Sequence, residues 1–179
     1  VLASTTADEN VTSRDKNFVI RANNVIFSNN GIIVTDARQF KGNDQDLVRK
    51  KTVSANGGAI YVVGSAKISN GEFSGNQAVI NSLVSAGQTA SGGAIFNKGY
   101  MELEHITFSN NQVSAENAYG GALYNDKDEA NSNDEMLSKL KVSDSSFSGN
   151  IVNAGKIGMG GAIYNNSTTE TTISNSSFS

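Results

Sequence analysis

Two short blocks alternate along this chain, and that alternation limits its fold more than any other feature. A glycine-led block recurs four times: Gly57-Gly58-Ala59-Ile60, Gly92-Gly93-Ala94-Ile95, Gly120-Gly121-Ala122-Leu123 and Gly160-Gly161-Ala162-Ile163. Between its copies stands a phenylalanine block: Phe27-Ser28-Asn29-Asn30, Phe73-Ser74-Gly75-Asn76, Phe108-Ser109-Asn110-Asn111 and Phe147-Ser148-Gly149-Asn150, with a further start at Phe178-Ser179. Each unit is too small to bury a face on its own. Units of this kind become stable by stacking on their neighbours.

Aligning the five phenylalanines exposes the local structure. Five residues before them stand Ala22, Ile68, Leu103, Val142 and Ile173, and seven before them Ile20, Ala66, Met101, Leu140 and Thr171. The residues between are Arg21, Lys67, Glu102, Lys141 and Thr172. Alternation with period 2 predicts a half-buried strand. Three residues before each Phe the phase breaks, at Asn24, Asn70, His105, Asp144 and Asn175. Asn and Asp tolerate left-handed backbone and bond nearby backbone groups, so a corner is expected there. The glycine pair allows a tight bend or a backbone approach that a Cβ would block.

The frame from Gly57 to Asn76 and the eight residues 112–119 together accommodate about three short strands per coil. The expected fold is all-β: a right-handed parallel β-helix of about five coils. Equivalent side chains would then form ladders about 4.8 Å apart, Phe on Phe and Asn on Asn. Stacked Asn amides could bond along the axis and satisfy polar groups at the corners. Spacing variations place insertions at 31–56, 77–91 and 125–139. Residues 1–17 carry no repeat feature and are expected to be a polar cap or tail before the repeat domain, 18–179.

Composition narrows the function classes. Of 179 residues, 37% are hydrophobic and only 17% charged, so Ser, Thr, Asn and Gly supply the polarity. A net charge of −3 gives no general pull toward nucleic acid or anionic membrane. The absence of cysteine excludes disulfides and Cys-based metal sites. No apolar run reaches the length of a transmembrane helix. The sequence opens VLASTT and stops within a repeat block, and it reads as part of a longer protein whose signal and anchoring segments lie elsewhere.

Alternating GGA[IL] and F-x-x-N blocks resemble the polymorphic outer membrane protein family, best known in Chlamydia. The resemblance covers roughly residues 18–179. It departs from the chlamydial pattern in lacking cysteine. It implies a β-helical passenger of an autotransporter-like protein, with a C-terminal outer-membrane barrel as its membrane connection, at a bacterial surface or secreted. It further implies adhesion to a host-cell surface protein or glycan, self-association, and a role of the two tetrapeptides in adhesion. End-to-end association through exposed coil ends is expected on physical grounds too.

The motif residues have two readings: the coil needs them, or they touch a receptor. An outward candidate is the residue after each glycine block. If Ile60, Ile95, Leu123 and Ile163 point inward, then Tyr61, Phe96, Tyr124 and Tyr164 point outward as an aromatic stripe one coil apart. Such a stripe could stack on sugars or pack on a partner, or lie under a neighbouring loop. The acids Asp126, Asp128, Glu129, Asp134 and Glu135 lack the glycine and spacing of a calcium loop and are expected to be solvated, as is the run Arg49-Lys50-Lys51.

A β-helical polysaccharide enzyme is the rival from another class, and a stalk is a third. Enzymes of the first kind need paired carboxylates on adjacent coils. Here the acids sit mostly in insertions, and the sole histidine, His105, falls on the corner register next to Asp144. No catalytic residue, metal or cofactor is therefore assigned.

Overall fold

The computed structural model describes residues 2–4, 20–34, 53–81, 87–126, 139–167 and 170–179. All regular structure among them is strand, and every pairing is parallel, each strand to its counterpart one coil away. Three sheets run along the stack, which makes a parallel β-helix. The first holds Leu2–Ser4, Ile60–Val63, Ile95–Asn97, Leu123–Asn125 and Ile163–Asn165. The second holds Ile20–Asn23 with Ile26–Ser28, then Ser65–Ser74, Tyr100–Ser109, Leu140–Ser143 with Ser146–Ser148, and Thr171–Ser174 with Ser177–Phe178. The third holds Gly31–Val34 with Ser54–Asn56, Gln77–Ile80 with Thr89–Ser91, Gln112–Tyr119 and Ile151–Met159. The first two sheets each have five layers, which agrees with the expected coil number.

Several boundaries differ from those expected. The ends of 31–56 and 77–91 are strands of the third sheet, so the inserted chain lies between Val34 and Ser54 and between Ile80 and Thr89. Neither stretch carries a Gly-Gly block within it, so excess length alone could not separate strand from loop. Leu2–Ser4, within the expected cap or tail, pairs with Ile60–Val63 as a strand of the first sheet.

The phenylalanines form one continuous ladder in the second sheet. Phe27, Phe73, Phe108, Phe147 and Phe178 are in register, with ring centroids 4.9, 5.0, 4.6 and 4.8 Å apart. That separation is the strand spacing itself, so backbone pairing sets the stacking. The three inner rings are buried. The expected corner residues Asn24, Asn70, His105, Asp144 and Asn175 all have φ between 46° and 55°. A second left-handed corner follows two residues after each Phe, at Asn29, Gly75, Asn110 and Gly149.

The two glycines of each pair have different tasks. Gly57, Gly92, Gly120 and Gly160 turn the corner at φ 66° to 70°. Of their partners, Gly58, Gly93 and Gly121 have no room for a side chain. A Cβ on Gly93 would lie 2.1 Å from the Gly121 carbonyl oxygen and 2.8 Å from the backbone of Gln112. Gly58 and Gly121 meet the same obstruction. The end of the third side is thereby pressed against its beginning. The interior is split into two cores by this pinch. The larger, between the first and second sheets, contains Ile60, Ile95, Leu123, Met101, Leu103 and the inner phenylalanines. The smaller, under the third sheet, is built mainly of alanine, with Ala55, Ala78, Ala90, Ala115 and Ala118 around Ile80 and Val113.

A buried asparagine ladder lines the pinch. Asn30 Nδ2 donates to Asn76 Oδ1 at 2.9 Å, Asn76 Nδ2 to Asn111 Oδ1 at 3.0 Å, and Asn111 Nδ2 to Asn150 Oδ1 at 2.9 Å. The second amide hydrogen of each lower Asn goes to a phenylalanine carbonyl one coil above: Asn76 to Phe27, Asn111 to Phe73 and Asn150 to Phe108. Each accepting Oδ1 also receives the backbone N–H of the Asn above it. Asn76 and Asn111 are fully buried, with no hydrogen-bonding capacity wasted.

Phe108→Ala is expected to cost about 3–5 kcal/mol, because it empties the middle of a ladder that cannot collapse; a chemical-denaturation midpoint measures this. Asn111→Asp is expected to destabilise strongly at neutral pH and to recover toward acid. A buried carboxylate would face the Phe73 carbonyl and Asn150 Oδ1, so its folded pKa would lie above the unfolded value. The protonated form can still donate, so stability is retained below the unfolded pKa and lost as pH rises through the folded pKa. Equal destabilisation at all pH values would contradict the ladder's donor requirement.

A loop-bearing edge as candidate functional site

The third side of each coil is bent into a narrow lobe. Along Gln112–Tyr119, Val113 and Ala115 face inward, and the phase then shifts so that Ala118 faces inward. The bend therefore lies at Glu116. Register shows what occupies this bend in other coils. Ser114 pairs with Val79, and Asn117 with Thr89, so residues 80–88 stand in place of Ala115-Glu116 one coil above. Val34 pairs with Ile80 and Ser54 with Thr89, so the longer segment of the coil above leaves from the same point. One coil below, Ala154 to Ile157 spans one residue more than Ala115 to Asn117, giving a bulge at Gly155-Lys156. Two long insertions, one tight bend and one bulge thus share a single edge. In solenoids such an edge is where insertions accumulate and binding surfaces form.

Glu116 holds this edge together. Its carboxylate accepts the Gly87 N–H at 2.5 Å and the Gln88 N–H at 3.3 Å, closing the end of the loop above. It also pairs with the Lys156 ammonium of the coil below. The Lys156 contact, and then the Gly87 N–H, hold its carboxyl below the ordinary value of 4.5. Asn117 Nδ2 adds a bond to the Gln88 carbonyl at 3.3 Å. Beside these residues opens a cleft of about 890 Å³, floored by Ile80, Ala115 and Ala154 and walled by Asn81, Gln88, Ser114, Asn153, Glu116 and Lys156.

The expected aromatic stripe forms, but it is less open than the outward reading requires. Phe96 is in register with Tyr61 and Tyr124, and Tyr124 with Tyr164. Their centroids lie 4.8, 4.9 and 5.4 Å apart. The rings point away from the main core, because Ile60, Ile95, Leu123 and Ile163 occupy or adjoin it. Yet Phe96 is 4% exposed and Tyr124 9%, with Tyr61 and Tyr164 half-buried. Tyr119 packs on both Tyr124 and Tyr164, and Lys98 lies over Phe96. Burial, and next the Asp126 carboxylate, raise the Tyr124 hydroxyl above its ordinary 10.0.

Most of the remaining motif residues are interior: Ala59, Ile60, Ala94, Ile95, Ala122, Leu123, Phe73, Phe108, Phe147, Asn76 and Asn111 are buried, whereas Asn150, Gly160, Ala162 and Ile163 are half-buried and Gly161 is exposed. His105, at its exposed corner, lies 3.9 Å from Glu104 of its own strand. Among the described residues no three His, Asp or Glu side chains form a group that could hold a metal ion. Of the acidic insertion, Asp126 pairs with Lys98 at 3.5 Å and accepts from Asn166. The other four acids, and Arg49-Lys50-Lys51, lie outside the described residues.

Two features escaped sequence reasoning. Asn97, Asn125 and Asn165 form a second inward amide ladder, with Nδ2 to Oδ1 distances of 2.7 and 2.8 Å. Its signal was the Asn following the aromatic in three of the four glycine blocks. Glu116 had no signal, because its role depends on where a loop of another coil closes.

The model of the Chlamydia polymorphic membrane protein repeat matches residues 24–63, 70–98 and 105–126, just over half of the chain. Each match starts on a left-handed corner residue, Asn24, Asn70 or His105, and ends at or just beyond a first-sheet strand. The family repeat is thus one circuit of the coil, read from corner to first sheet. No curated protein and no solved structure gives a significant match.

Two outcomes test the edge. Glu116→Gln is expected to speed amide exchange at Gly87 and Gln88 while leaving the Phe-ladder amides protected. In the wild type, lowering pH through the folded pKa of Glu116, below 4.5, is expected to remove its stabilising effect. The Gly87 amide shift should follow that titration; a Gly87 resonance insensitive to acid would exclude the clamp.

Proposed function

Because this chain belongs to the family of Chlamydia polymorphic membrane protein repeats, we propose that it is a passenger segment of a bacterial surface adhesin. The family is membrane- and surface-associated, which assigns the chain to the bacterial surface or outer membrane in general terms. In this reading the β-helix is a rack. Its repeated residues are spent on stacking, and the loop-bearing edge is what a host-cell surface protein or glycan meets.

The observation supporting this reading is the segregation of the two residue sets. Motif side chains lie inside, while both long insertions of the third side leave from one line on the outside. A stalk would need no such alignment. The half-buried stripe of Tyr61, Phe96, Tyr124 and Tyr164 acts mainly as packing, and it is a weaker candidate than the edge.

The decisive experiment compares host-cell binding by the chain with binding by a variant whose Ile33-to-Ser54 and Val79-to-Thr89 connections are cut to the two-residue bend of the third coil. Circular dichroism monitors the fold. Adhesion is expected to fall more than about tenfold with the β-rich spectrum retained. Unchanged adhesion would remove the edge from the reading, and absence of adhesion by the parent chain would favour a stalk.

A further inference from the structure

We infer that the cleft beside Glu116 is a subsite for a neutral oligosaccharide, an inference that rests on the adhesive reading above. Its walls are the amides of Asn81, Gln88 and Asn153 and the hydroxyl of Ser114. Amide and hydroxyl side chains offer donors and acceptors together, which suits ligands whose hydroxyls do the same. Asn81 and Asn153 are exposed and available to a ligand, whereas Gln88 is 5% exposed and fixed in the wall. The floor holds aliphatic carbon of Ile80, Ala115 and Ala154; Ile80 and Ala115 are buried in the smaller core, so Ala154 supplies the exposed apolar surface on which the C–H face of a sugar ring can rest. The cleft is shallow and largely open, so a ligand would lie along it and not be enclosed.

Charge and backbone pairing select among ligand classes. The two ions of the cleft neutralise each other, since Lys156 is held by Glu116 and that carboxylate is also bound by two backbone N–H groups. An acidic ligand therefore finds no free cation in the wall, and a nucleic acid no basic surface. An extended peptide would bind by adding a strand to an open edge. The floor strand Gln112–Tyr119 is already paired on both sides, with Gln77–Ile80 and Thr89–Ser91 above and Ile151–Met159 below. Its backbone offers no such edge. The Glu116 clamp fixes the Gly87-Gln88 wall before any ligand arrives, so little ordering accompanies binding.

The test uses the full chain on an array of neutral hexose oligosaccharides and their sialylated counterparts, followed by titration calorimetry with the best neutral compound. Neutral compounds are expected to bind. Asn81→Ala and Asn153→Ala should each weaken binding about three- to tenfold, as expected for loss of one or two hydrogen bonds, while Thr172→Ala on the second sheet leaves it unchanged. Neutral binding indifferent to both Asn variants would overturn the cleft assignment. So would a preference for the sialylated series. An array without signal beside intact host-cell adhesion would overturn the oligosaccharide and leave the adhesive reading standing, with a protein as receptor. Silence in both assays would overturn the two together.

Discussion

Everything in this structure depends on identical residues meeting at the spacing of one strand pair. The Asn30–Asn76–Asn111–Asn150 ladder shows why that contact is selective. An amide has a donor end and an acceptor end, so it can bond a copy of itself directly above and below, and few other side chains can. Asn76, Asn111 and Asn150 each also donate to a phenylalanine carbonyl, which ties the ladder to the backbone of the next coil. Register follows without further instruction: a slip of one residue would put every inward group outside and leave buried amides unpaired.

The same logic accounts for the unusual composition. A two-layer domain buries large side chains from facing elements. Here the interior is divided at the glycine pair, where the chain at Gly93 lies against the chain at Gln112. Two thin cores result, one lined by leucine, isoleucine and phenylalanine and the other largely by alanine. A low apolar fraction is therefore compatible with a fully packed inside. The outer face of the second sheet adds a modest charged network, Lys67–Glu102–Lys141, with the Tyr100 hydroxyl on Glu102 at 2.6 Å.

Much of this was legible in the sequence because stacking repeats the same demand at each coil. The alternation around Ile68, Leu103 and Val142 gave the second sheet, and the phase break at Asn70, His105 and Asp144 gave its left-handed corner. The corner at Asn29, Gly75, Asn110 and Gly149 carries the same signal, since only residues tolerant of positive φ occupy it. The third side was hard to read for a physical reason. Its lobe is lined largely by alanines, whose small side chains leave little hydrophobic contrast, and its first strands, GIIV and QAVI, carry unbroken apolar runs in place of alternation. The cleft was unreadable, because residues as remote as Gly87, Glu116 and Lys156 meet only after three coils have stacked.

The corner after the phenylalanines also carries a rule of its own. A Cβ on Gly75 would lie 2.5 Å from Asn29 Oδ1, and one on Gly149 would lie 2.6 Å from Asn110 Oδ1. Each Asn at this corner leans over the glycine beneath it, so the order runs Asn, Gly, Asn, Gly. The sequence repeats with every coil, but the surface of this corner repeats with every second one. A coil set one layer out of place would bring Asn over Asn here, where two side chains would compete for one space. The stack thus carries a parity check, which distinguishes the correct neighbour from a near-identical coil one step away.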